Sequence, residues 1–148
     1  MAPLITLVAG TLLARLAGLL GFDALDGWPA ALRVGLALMF VLTGLAHFGL
    51  GRRAGLIAMV PPRLPRPDLL VTITGILEFA GALGLLLPST YRLAAGCLAV
   101  LMVAMFPANV YAARHQIGLT QGERATPLPL RTAEQILYVG VAVAIALF

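Results

Sequence analysis

Five apolar stretches run along the chain, at Leu4–Phe22, Ala30–Phe48, Leu69–Leu87, Tyr91–Ala113 and Thr132–Phe148. Each is long enough, or nearly so, to cross a hydrocarbon core, which takes about 20 helical residues. Turn formers separate them: Asp23 to Pro29, the proline-rich Pro61 to Pro67, Pro88 to Thr90, and Gly118 to Pro129. Lipid cannot satisfy free backbone groups, so spans this apolar should be helices. A transmembrane β-barrel would need polar and apolar residues to alternate with a period of two, and no such alternation is visible. The pattern predicts an all-α integral membrane protein with one transmembrane domain over residues 1–148.

Composition agrees. The chain is 61% hydrophobic and only 11% charged, with a mean hydropathy of +1.00. A soluble domain is usually near half apolar and a quarter charged. These values exclude a free soluble globule, a disordered chain and a nucleic-acid-binding domain. The formal charge of +4 comes from ten arginines and no lysine. The arginines follow a membrane pattern. Arg52, Arg53, Arg63, Arg66, Arg114, Arg124 and Arg131 flank one side of the expected bilayer, whereas only Arg33 and Arg92 flank the other, near Asp23 and Asp26. By the positive-inside rule the N-terminus is expected in the cytoplasm and the C-terminus outside, in a bacterial inner membrane. Cys97 is the only cysteine, so no internal disulfide or thiol pair is expected.

The first stretch reads as an uncleaved span rather than a signal peptide. It has no basic leading region, Arg15 interrupts it, and no small-x-small cleavage site follows. Between the second and third spans, Gly49 to Asp68 is too polar to cross and too apolar to float free. Leu56, Ile57, Met59 and Val60 beside Arg52 and Arg53 suggest a short helix lying in the interface. The prolines that follow force an extended return into the third span.

Polar side chains inside the spans need a reason, because an ionisable group at the bilayer centre costs about 2.5–3.5 kcal/mol even on a lenient scale. Glu78 lies about 14 Å into the third span at 1.5 Å per residue. It shares a small, polar face with Thr74, Gly75, Gly81 and Ala82, which suits packing against another helix. Arg15 has a similar expected depth, and the sequence leaves two options: an ion pair with Glu78, or an outward reach to Asp23 and Asp26. His47 ends the second span one turn after Thr43, and reads either as an interfacial histidine or as a ligand residue. Asn109 follows Pro107, whose freed backbone groups offer it a structural task. Glu134, Gln135 and Tyr138 occupy the start of the fifth span. The economical arrangement is one polar cavity opening to the cytoplasm, with Glu78 and His47 as catalytic candidates. Asn109, Tyr138, Gln135, Thr43, Thr74 and Arg15 are then the ligand-binding candidates.

Small residues mark close packing: Gly10, Ala14 and Gly18 on the first span, Gly140 and Ala144 on the fifth. Met102 and Met105 read as gap filling. There is no Walker loop, GxGxxG or HExxH, and two histidines so far apart do not suggest a metal site.

Several runs look like the DoxX-like membrane proteins. They are Ala30 to Phe48, closing on Thr43-Gly-Leu-Ala-His47-Phe48; Met59-Val-Pro-Pro-Arg-Leu-Pro65; Thr74-Gly-Ile-Leu-Glu78; Leu85-Leu-Leu-Pro88 with Arg92; and Phe106-Pro-Ala-Asn109. The resemblance covers about residues 30–148. It implies a four-helix transmembrane bundle from spans two to five, with the first span as an additional N-terminal helix. The family's histidine, glutamate and asparagine match His47, Glu78 and Asn109. At Arg63 the chain departs from the aromatic common in relatives.

The resemblance also implies a redox link, since the family name comes from a subunit of a thiosulfate:quinone oxidoreductase. The expected partners are the bilayer, a small amphipathic ligand such as a quinone, and a soluble or membrane redox partner, with no nucleic acid. Whether the chain is itself an enzyme, such as a membrane subunit of a quinone-linked oxidoreductase, stays open. An assembly or chaperone subunit and a small transporter are the alternatives.

Overall fold

Proline sits in the first turn of four of the long helices, where its missing N–H costs nothing and its fixed φ suits the helix. The computed structural model, which describes residues 1–49 and 51–148, has six α-helices. They are α1 (Ala2–Leu19), α2 (Trp28–Phe48), α3 (Arg53–Met59), α4 (Pro67–Leu86), α5 (Tyr91–Arg114) and α6 (Leu128–Leu147), with a 3-10 turn at Asp23–Leu25. All but α3 are long and apolar enough to cross a membrane, with mean hydropathies of 1.5 to 2.0. The five expected helices therefore form, shifted by a few residues at their ends. The largest shift is at α6, which begins at Leu128 because Pro129 starts the helix rather than ending the loop. The short helix expected between the second and third spans forms as α3; Leu50 lies outside the described residues.

The helices α2, α4, α5 and α6 pack in succession and α6 returns to touch α2, which closes a four-helix bundle. The helix α1 lies along α2, and α3 rests on α4 and α5. Glycines set the close approaches. A Cβ on Gly35 would collide with the Thr11 hydroxyl and the Leu7 carbonyl, and one on Gly10 would lie 3.2 Å from Gly35 Cα. The stripe of Gly10, Ala14 and Gly18 is buried accordingly. The matching expectation for the last span is corrected. Gly140 and Ala144 face outward, and a Cβ on Gly140 would meet nothing within 4 Å. The face of α6 that enters the bundle carries Ala142 and Ile145 instead.

Between α2 and α4, Gly44 lies against the Phe79 ring, and Phe79 stacks on Phe48 at 5.8 Å between centroids. Between α4 and α5, Gly81 meets Leu98 and Gly84 meets Ala94. The largest fully buried side chains, Phe40, Leu36, Leu85 and Leu98, gather toward the bundle centre. An open volume lies at the end of the bundle beneath α3.

Candidate functional site

That volume is a cavity of about 810 Å³ at the end of the bundle carrying residues 51–68 and the α5–α6 loop. Of the eight residues singled out from the sequence, it brings together seven: Glu78, His47, Thr43, Thr74, Asn109, Gln135 and Tyr138. Arg15 is not among its lining. Its guanidinium donates to Asp26 Oδ1 at 2.9 Å and lies 5.9 Å from the Trp28 ring centroid. The Arg15–Glu78 pair is thus not formed. Helix rotation, which depth alone does not set, turns Arg15 toward the polar turn after α1.

The first polar wall joins α2 to α4. Glu78 and His47 are 3% and 7% exposed. The Thr43 hydroxyl donates to Glu78 Oε2 at 2.6 Å, a bond between neighbouring helices in an otherwise apolar interior. His47 Nδ1 lies 2.9 Å from the Thr43 carbonyl and 3.7 Å from Glu78 Oε2. A carbonyl only accepts, so Nδ1 carries the proton and a neutral ring offers Nε2 as an acceptor. Gly75 makes the arrangement possible, because a Cβ there would come within 2.6 Å of His47 Cβ. Thr74 lines the cavity, yet its hydroxyl is bonded back to the Leu70 and Val71 carbonyls. It contributes shape rather than a free donor.

The second wall is on α5 and α6. Asn109 Oδ1 accepts from Arg131 Nη1 at 2.8 Å, and Arg131 Nε donates to the Thr126 carbonyl at 3.1 Å. The Asn109 oxygen therefore ties α5 to α6 and does not repair the backbone around Pro107. Glu134 Oε1, Gln135 Nε2 and the Tyr138 hydroxyl are buried without a hydrogen-bond partner among the described residues. The nearest charge to Glu134 is the Met1 amine at 3.8 Å.

The sequence reading missed what two arginines do in the interior, counting Arg131 only as an orientation charge and Arg53 only as that and as part of the interfacial helix. Arg131 organises the second wall. Arg53 holds the cover: Nη1 donates to the His47 carbonyl at 2.6 Å, and Nη2 to Thr72 Oγ1 at 2.9 Å and the Asp68 carbonyl at 3.2 Å. One guanidinium thereby links α3, the last turn of α2 and the first turns of α4. The segment it anchors places Met59, Val60, Pro61, Arg63 and Leu64 over the cavity. Arg63, the departure from the DoxX-like pattern, thus faces the cavity. Arg66 has a positive φ of 50° where the segment enters α4.

The middle of the cavity is apolar and adaptable. Met39, Met59, Met102 and Met105, with Met1, all line it, so every methionine of the chain is there. Unbranched, polarizable side chains of this kind mould themselves to a guest. A cavity of this size with polar groups confined to its walls fits the usual form of a small-molecule site. Among the described residues no group of three or more His, Cys, Asp or Glu is arranged to hold a metal ion. No curated protein and no solved structure matches the sequence. A family model does match, over residues 36–146, which take in α3, α4, α5, nearly all of α6 and α2 from Leu36 onward; the chain belongs to the family described as a domain of unknown function, DUF8561.

Proposed function

We propose that this polytopic membrane protein binds one small amphipathic molecule in the cavity, with Glu78 as the hydrogen-bond and proton acceptor at its centre. The observation that supports the reading most is a buried Thr43–Glu78–His47 cluster facing an open, methionine-lined volume. A cluster needed only for packing would be expected to be filled in, since voids cost stability. His47 Nε2 and Asn109 Nδ2 orient the ligand, and Gln135 and Tyr138 meet it from α6. The arginine distribution supports a cavity that opens to the cytoplasm, with the N-terminus on that side of a bacterial inner membrane.

The DoxX-like motifs extend the proposal to a redox-linked role with a quinone-like ligand and a separate redox partner. A quinone has carbonyl acceptors and its quinol has hydroxyl donors, so the Glu78 wall would favour the quinol. Titration of short-tailed quinones and quinols into nanodisc-embedded protein tests this. Saturable binding lost in Glu78→Gln supports it, and no saturable binding of either form removes it.

A second reading draws on the bonds that cross between helices, Thr43 to Glu78 and Arg131 to Asn109. It is a non-enzymatic assembly subunit whose polar groups fix the bundle. Glu78→Gln would then lower the melting temperature without changing any ligand, and a stoichiometric protein partner would co-purify.

A further inference from the structure

Arg131, Glu134, Gln135 and Tyr138 fall at i, i+3, i+4 and i+7 on α6, one face of a helix, and all four line the cavity. Buried polar atoms are nearly always paired, yet three on this face have no partner among the described residues. They differ in kind. Gln135 Nε2 only donates, Glu134 Oε1 accepts, and the Tyr138 hydroxyl does either. Glu134 Oε1 lies 3.8 Å from the Met1 amine, and Arg131 is tied to Asn109 and the Thr126 carbonyl.

Granting the ligand-binding reading above, on which this rests, we infer that the α6 face is a second polar subsite for a neutral group that accepts and donates at once. A carboxamide is the simplest such group. Its carbonyl oxygen accepts from Gln135 Nε2 and Tyr138, and its N–H donates to Glu134 Oε1. The opposite wall offers acceptors, Glu78 and His47 Nε2, and so takes a hydroxyl. The ligand is then polar at both ends and apolar between them, with the methionines around its middle. A diacyl phospholipid, with a single charged head, does not meet this pattern.

The test uses the full-length protein in nanodiscs and a chain-length series of ω-hydroxy fatty amides. The matching ω-hydroxy methyl esters lack the N–H, and the plain fatty amides lack the hydroxyl. At the best length, the ω-hydroxy amide is expected to bind about tenfold more tightly than either control, the scale of one buried hydrogen bond. Glu134→Leu should erase the preference for amide over ester and keep the preference for hydroxyl, whereas Gln135→Leu and Tyr138→Phe should weaken amide and ester alike. His47→Phe, which removes the Nε2 acceptor, should instead reduce the preference for hydroxyl and keep that for amide. Melting curves without probe confirm that each variant is folded.

If both controls bind as tightly as the ω-hydroxy amide, and binding still depends on Glu78, the second subsite is overturned while the ligand site survives. If the amide preference persists in Glu134→Leu, or if Gln135→Leu and Tyr138→Phe leave amide and ester binding unchanged, water satisfies the orphaned atoms and the inference also falls. If no member of the series binds, the two-ended ligand class is overturned, and quinone titration then decides the broader reading on its own.

Discussion

The Thr43 hydroxyl donates to Glu78 Oε2 at 2.6 Å and is the only side-chain hydrogen bond joining α2 to α4 among the described residues. Thr43→Val keeps the shape and removes the donor. Interhelical hydrogen bonds in membrane proteins average about 0.6 kcal/mol and reach about 1.7. A loss at the upper end of that range is expected, because Glu78 is almost wholly buried. Thr43→Ser, which keeps the hydroxyl, should stay near wild type. Thermal unfolding of both variants in the same detergent checks the pair.

Gly75 is predicted to tolerate no side chain. A Cβ there would lie 2.6 Å from His47 Cβ and 2.8 Å from the Phe48 ring. Gly75→Ala must part α2 from α4 or displace His47, and overpacking of this kind costs about 1–3 kcal/mol. A fall in melting temperature together with a changed His47 ring signal in NMR is the expected result.

Two glycine-to-alanine changes should have opposite signs. Gly35→Ala drives a methyl into Thr11 and the Leu7 backbone and should destabilise the α1–α2 pair. Gly140→Ala meets open space. It should be neutral or add up to about 1 kcal/mol, because alanine is the better helix former. Parallel unfolding curves decide this.

Arg53 is predicted to latch the cover over the cavity. Arg53→Ala releases three acceptors on two other helices, and Arg53→Lys restores charge without the planar fork. A cysteine placed by Met59→Cys, in a background carrying Cys97→Ser, reports the opening. Its labelling by a membrane-impermeant maleimide should rise several-fold in Arg53→Ala and less in Arg53→Lys. Equal labelling in all three would show that the latch does not hold the segment.

The spans were readable because a bilayer imposes long apolar runs, and the deep polar residues were readable because each is expensive where it sits. Glu78, His47, Asn109, Gln135 and Tyr138 share one cavity for that reason. What sequence depth does not carry is rotation about each helix axis. Rotation decides between the two readings of Arg15, which takes the outward one to Asp26, and it turns Gly140 away from the bundle against expectation. Arg53 and Arg131 were obscured differently. An arginine at a span end signals topology so strongly that its reach into the interior, through a long stem and a forked head, is not evident. The spacing of Arg131, Glu134, Gln135 and Tyr138 along one helix face was the signal that would have found the second wall.

Native mass spectrometry of the gently solubilised protein, with extraction and identification of what it carries, tests the central claim most directly. The cavity is predicted to retain one small amphiphile of defined mass per chain in the wild type and to lose it in Glu78→Gln, with the fold intact by melting curve. A wild-type protein that is bare, or that carries only the bulk phospholipid also seen on Glu78→Gln, would contradict the claim.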